Sequence, residues 1–79
     1  MPATLEEVQQ IIQNEFPGSD VAAIREEDHR ILGTIVWNGF KGQNSRERNR
    51  LLVEKVRDRL GLRGLNVGVL YLLAPGEKL

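Results

Sequence analysis

Seventy-nine residues with 41% hydrophobic content make one domain, near the lower size limit for a chain that folds on a single core. The absence of cysteine excludes disulfide support, a thiolate nucleophile and thiolate metal ligands. A formal net charge of zero excludes a uniformly basic or acidic binding protein, but it conceals a strong segregation of charge along the chain.

Thr4-Leu5-Glu6-Glu7 has the form of a capping box and opens a first helix. Its apolar stripe is Leu5, Val8, Ile12 and Phe16, with Ile11 beside it, and Pro17-Gly18 stops it. Val21 to Arg25 reads as a short strand, Glu26-Glu27-Asp28-His29 as a polar turn, and Arg30 to Trp37 as a β-rich segment pairing back in a hairpin. Gly33 inside that strand suggests a bulge or close packing against a helix. Asn44, with Glu47 at the box position, or Ser45 caps a second helix, whose buried stripe is expected to be Leu52, Val53, Val56 and Leu60. Gly61 ends it. Leu65 to Leu73 is the strongest strand, and Ala74-Pro75-Gly76 closes it.

The order helix, strand, strand, helix, strand predicts an α+β domain, with two helices on one face of a three-stranded mixed sheet. Strict alternation along the last strand puts Leu65, Val67, Val69, Tyr71 and Leu73 on one side. Leu70 and Leu72 fall on the other, with Leu32 and Val36 joining them. Leu70 and Leu72 are therefore the expected surface for self-association or a partner, unless loops cover them. The expected state is a monomer or a weak homodimer.

Between Lys41 and Arg63 there are eight basic and three acidic residues; elsewhere there are three basic and eight acidic. Such a field steers an anionic partner. Gly39-Phe40-Lys41-Gly42 has the form G-x-x-G, in which glycines let the backbone approach a phosphate and the lysine adds charge. Ordinary turn chemistry explains the same spacing. Arg46, Arg50 and Arg57 flank one side of the second helix's apolar stripe, and Arg48, Lys55 and Arg59 the other. Glu47, Glu54 and Asp58 lie between them, a pattern also typical of a solvated, self-paired helix. Of the aromatics, Phe40 is the one expected at the surface, with Trp37 and Tyr71 at core or edge positions. His29, the sole histidine, is a solvated turn residue or a metal ligand lacking companions. No nucleophile–base pair, Walker loop or dinucleotide fingerprint is present, so no enzyme is expected.

Phe40-x-Gly42, Arg48-x-Arg50 and Leu52-Val53, followed by a strand running into Ala74-Pro75-Gly76-Glu77, resemble the BolA-like family over nearly the whole chain. The resemblance implies a fold similar to class II KH domains. It also implies a role in transcriptional control and stress responses, or partnership with a monothiol glutaredoxin in iron–sulfur homeostasis through a shared [2Fe–2S] cluster. The family's cluster-binding histidine is Asn66 here, and a second common histidine is Asn49. An amide is a poor iron ligand beside imidazole, which leaves His29 as the one candidate ligand.

The leading expectation is DNA or RNA binding through Gly39, Lys41, Gly42, Arg46, Arg48 and Arg50, without a cofactor. The alternative is a glutaredoxin partner. No segment reaches the ~18 apolar residues of a membrane span, and nothing resembling an export leader precedes the first helix, so a cytoplasmic protein is expected.

Overall fold

The computed structural model describes residues 1–78. Helix α1 (Leu5–Glu15) is capped by the Thr4 hydroxyl, which accepts from the Glu7 N–H at 3.1 Å. It buries Val8 and Ile12 completely, and Phe16 continues the stripe beyond its last turn. Strands β1 (Arg25–Glu27) and β2 (Arg30–Val36) pair antiparallel through a two-residue turn, Asp28-His29. Both turn residues have positive φ (49° and 64°), the backbone that a tight hairpin with right-handed strand twist requires. The expected four-residue turn is thus half as long, and Glu26 and Glu27 belong to β1. Of the Val21–Arg25 segment only Arg25 is in the strand. Val21 and Ile24 instead drop into the core as the chain approaches the sheet.

Gly33 lies where β2 passes the Ala23–Ile24 backbone. A Cβ there would come within 2.2 Å of the Ala23 carbonyl oxygen, and its φ of 144° is one that side chains resist. Its close neighbour is this loop rather than a helix.

Helix α2 (Ser45–Leu52) carries a complete capping box: Asn44 Oδ1 accepts from the Glu47 N–H at 2.9 Å, and Glu47 accepts from the Asn44 N–H. The helix runs on through a π-helical stretch, Val53–Arg57, marked by a bond from the Asp58 N–H to the Val53 carbonyl, and finishes with Asp58–Leu60. The wider turn shifts the helical phase. Leu52, Val56 and Leu60 are buried, but Val53, expected beside them, is exposed. Gly61 at φ 58° ends the helix, and a 3₁₀ segment, Gly61–Asn66, leads into β3 (Val67–Leu73).

The sheet is mixed, in the order β1-β2-β3, with β2 and β3 parallel. Its helix-facing side supplies Ile31, Ile35, Val67 and Leu70 to a core closed by the stripes of both helices and by Phe40. This is the α+β architecture the sequence predicts, with one reversal. Ile31 stands opposite Val67, but Gly33 stands opposite Leu70, so β3 advances three residues while β2 advances two. The extra residue is a bulge, and it inverts the alternation beyond it. Leu70 is 6% exposed and in the core, and Leu72 packs against that core. The expected surface of Leu70 and Leu72 is therefore corrected: Val69 (61% exposed) and Tyr71 (49%) face outward instead. Leu32 and Val36 do line this outer face, where Val36 stands opposite Leu73.

Candidate nucleic-acid interface

Trp37 decides the shape of the loop that follows β2. Its indole packs against Phe16 (centroids 4.8 Å apart) and Phe40 (5.1 Å), and its Nε1–H donates to the Pro17 carbonyl at 2.9 Å. Phe40 is fully buried in this trio. The expectation that it is the exposed aromatic is wrong, because the 3₁₀ turn Asn38–Phe40 swings its ring inward. Gly39 lies on the indole, where a Cβ would stand 2.4 Å from the ring. Gly42 has φ 82° and open space around it. Both glycines of the G-x-x-G therefore have a local structural cause. Lys41 is exposed between them.

The four basic candidates fare differently. Lys41 and Arg46 are exposed, and among the described residues neither is in an ion pair. Arg50 is exposed and pairs with Glu54 at 3.1 Å, a surface contact easily exchanged. Arg48 turns the other way. Its side chain is 12% exposed and lies against the Phe40 ring, 5.8 Å from the centroid. Nε donates to the Gln43 carbonyl and Nη1 to the Leu72 carbonyl, each at 2.9 Å. The guanidinium also forks onto Glu77 at 2.6 and 3.0 Å. That contact, with an added bond from the Ala74 N–H, draws the Glu77 carboxyl down to about 2. Glu47 occupies the start of α2 through the capping box, so the helix N-terminus already holds a carboxylate.

Arg48 borders a groove of about 530 Å³ between α2 and β3, lined by Ser45, Asn49, Leu70, Tyr71 and Lys78 among others. Strand β3 is an edge strand here. The Trp37 N–H bonds the Leu73 carbonyl from the sheet side, whereas Arg48 reaches the Leu72 carbonyl from outside. Alternation along the strand then points the amide groups of Leu70 and Leu72 into the groove. Arg57, expected as a solvated flank residue, donates to the Val67 and Gly68 carbonyls at 3.2 and 2.9 Å, at the bulge. Sequence reasoning missed this groove. The available signal was a parallel crossover returning β3 to the sheet edge beside the helix.

His29 sits apart, in a second groove of about 580 Å³ with Asn66, Arg30, Leu62 and Leu65. Here the hairpin turn and the start of β3 come together. The donor set does not fit a shared [2Fe–2S] cluster. Asn66 donates its amide N–H to the Ala3 carbonyl at 2.9 Å, its buried Oδ1 is a poor donor to iron, and His29 is the sole imidazole. Among the described residues no three His, Cys, Asp or Glu side chains converge.

Comparison of the chain with protein-family models, with curated proteins and with solved structures gave no match. No helix among the described residues is long and apolar enough to cross a membrane.

Proposed function

We propose that the chain is a non-enzymatic module that binds single-stranded DNA or RNA along the groove between α2 and β3. The observation that carries this reading is the groove itself: a strand edge left open at Leu70, and an exposed tyrosine, beside Arg48 and Lys78. Lys41, Arg46 and Lys78 neutralise phosphates, Arg50 joins them on leaving Glu54, and Tyr71 stacks a base at the rim. Asn49, the outward amide groups of Leu70 and the Leu72 N–H meet base edges. Gly39 and Gly42 shape the loop without touching phosphate. A single strand is favoured over a duplex because Glu47, Glu54 and Asp58 run along the outer side of the helix and repel a major-groove approach. The resemblance extends the proposal to gene regulation under stress in the cytoplasm.

The test is fluorescence anisotropy with labelled single strands and duplexes at two salt concentrations. Binding of the single strand should weaken with salt, and Lys41→Glu with Arg46→Glu should abolish it. Affinity indifferent to salt and to that double variant would sink the proposal.

A second reading is favoured by the exposure of Leu62 and Leu65 beside His29 and Arg30. This surface suits docking of a monothiol glutaredoxin without cluster ligation. A brown complex showing cluster absorption that His29→Ala removes would contradict the lack of ligation.

A further inference from the structure

Arg48 is held in place by contacts that do not depend on its counter-ion. The Gln43 and Leu72 carbonyls fix two of its nitrogens, and the Phe40 ring backs the guanidinium. Leu72 and Phe40 are parts of the packed fold, so the fork keeps its position whether or not Glu77 is present. Glu77 is held less firmly. It follows the Pro75-Gly76 turn, its side chain is 42% exposed, and its remaining anchors are two bonds to Ala74. A nearly buried cation thus takes its charge partner from an exposed, replaceable side chain, at the wall of a groove also lined by Ser45 and Asn49. The two parallel N–H···O bonds that the fork makes to a carboxylate are the bonds it makes to a phosphate.

We propose that Arg48 is an anion site of the groove, that Glu77 fills it in the free protein, and that a backbone phosphate of the bound strand displaces Glu77. The inference rests on the single-strand reading above and adds an internal competitor to it. Apparent affinity is the intrinsic affinity reduced by the fraction of molecules whose site is open. Glu77 therefore sets a threshold that the ligand must exceed. A single strand meets it by delivering several phosphates at once, whereas a lone phosphate ion does not.

The experiment measures binding of a short fluorescein-labelled single strand, at fixed salt, to the wild type and to Glu77→Gln, Asp58→Asn and Glu77→Gln with Arg48→Lys. Asp58→Asn removes the same charge from an exposed helical position that makes no ion pair among the described residues. Opening the site should tighten binding about tenfold for Glu77→Gln. The Asp58 variant should change it by less than about twofold, as suits a screened surface charge. The Arg48→Lys change should cancel most of the gain, because an ammonium cannot fork. Circular dichroism confirms that each variant is folded. Equal effects of Glu77→Gln and Asp58→Asn, or a gain that survives Arg48→Lys, would overturn the inference while wild-type binding left the single-strand reading standing. No binding by any variant would overturn both.

Discussion

Gly39→Ala separates two explanations of the G-x-x-G loop. If Gly39 serves phosphate approach, the added methyl harms binding and spares the fold. The structure says the reverse, because the methyl would stand 2.4 Å from the Trp37 ring. That ring has no easy retreat: Phe16 and Phe40 pack against it and its Nε1–H is bonded to Pro17. Displacing it forfeits a hydrogen bond of about 1 kcal/mol net and two aromatic contacts of about 0.5–1.5 kcal/mol each. The expected loss is about 2–4 kcal/mol, against a total stability of roughly 4–12 kcal/mol for a chain of this length. Gly42→Ala meets no neighbour and faces only its φ of 82°, a cost of about 1 kcal/mol. Urea unfolding read by tryptophan fluorescence suits the comparison, since Trp37 is the sole tryptophan. With a slope of about 1 kcal/mol per molar urea, the Gly39 variant should lose about 2–4 M in midpoint and the Gly42 variant about 1 M. A Gly39 variant no less stable than the Gly42 variant would refute the packing argument.

Two further outcomes follow from the sheet and from Glu77. Leu70→Ala should cost about 2–5 kcal/mol and Val69→Ala less than about 0.5, and the opposite ranking in urea midpoints would restore the unbulged register. The Glu77 carboxyl is drawn from 4.5 to about 2 by Arg48, so its contribution is complete above the unfolded value and disappears as pH falls through the folded one. The melting temperatures of the wild type and Glu77→Gln should differ by a constant amount above about pH 5 and converge towards pH 2. A gap that persists at the acid end would show that the lost charge is not its cause.

Features set by local chemistry were legible in the sequence. The Asn44 capping box, the Pro17-Gly18 stop and the Gly61 terminus depend on a few neighbouring residues, and the order of elements follows from periodicity. What was not legible depends on pairing across the fold. The sequence from Val67 to Leu73 is apolar on both faces, so alternation could not reveal the bulge that turns Leu70 inward and Tyr71 outward. Val53 left the buried stripe because a π-helical turn shifted a phase counted at 100° per residue. Phe40 looked exposed because its partners, Phe16 and Trp37, come from other elements. The candidate site divided in the same way. Lys41, Arg46 and Arg50 are at the surface as expected, whereas the inward turn of Arg48 depends on Leu72 and Glu77, far along the chain.

The arginines on the outer edge of β3 bear on how this chain behaves in company. Val67 to Leu73 is a seven-residue run with no charge and no proline, the composition that stacks into fibrils when its edge is bare. Arg57 and Arg48 take the carbonyls of Val67, Gly68 and Leu72, leaving an incoming strand too few acceptors to build a continuous ladder. Two side chains from the neighbouring helix thus keep the most fibril-prone stretch of the protein from templating its own copies. Variants that remove Arg57 should be judged by turbidity on standing as much as by their melting temperature.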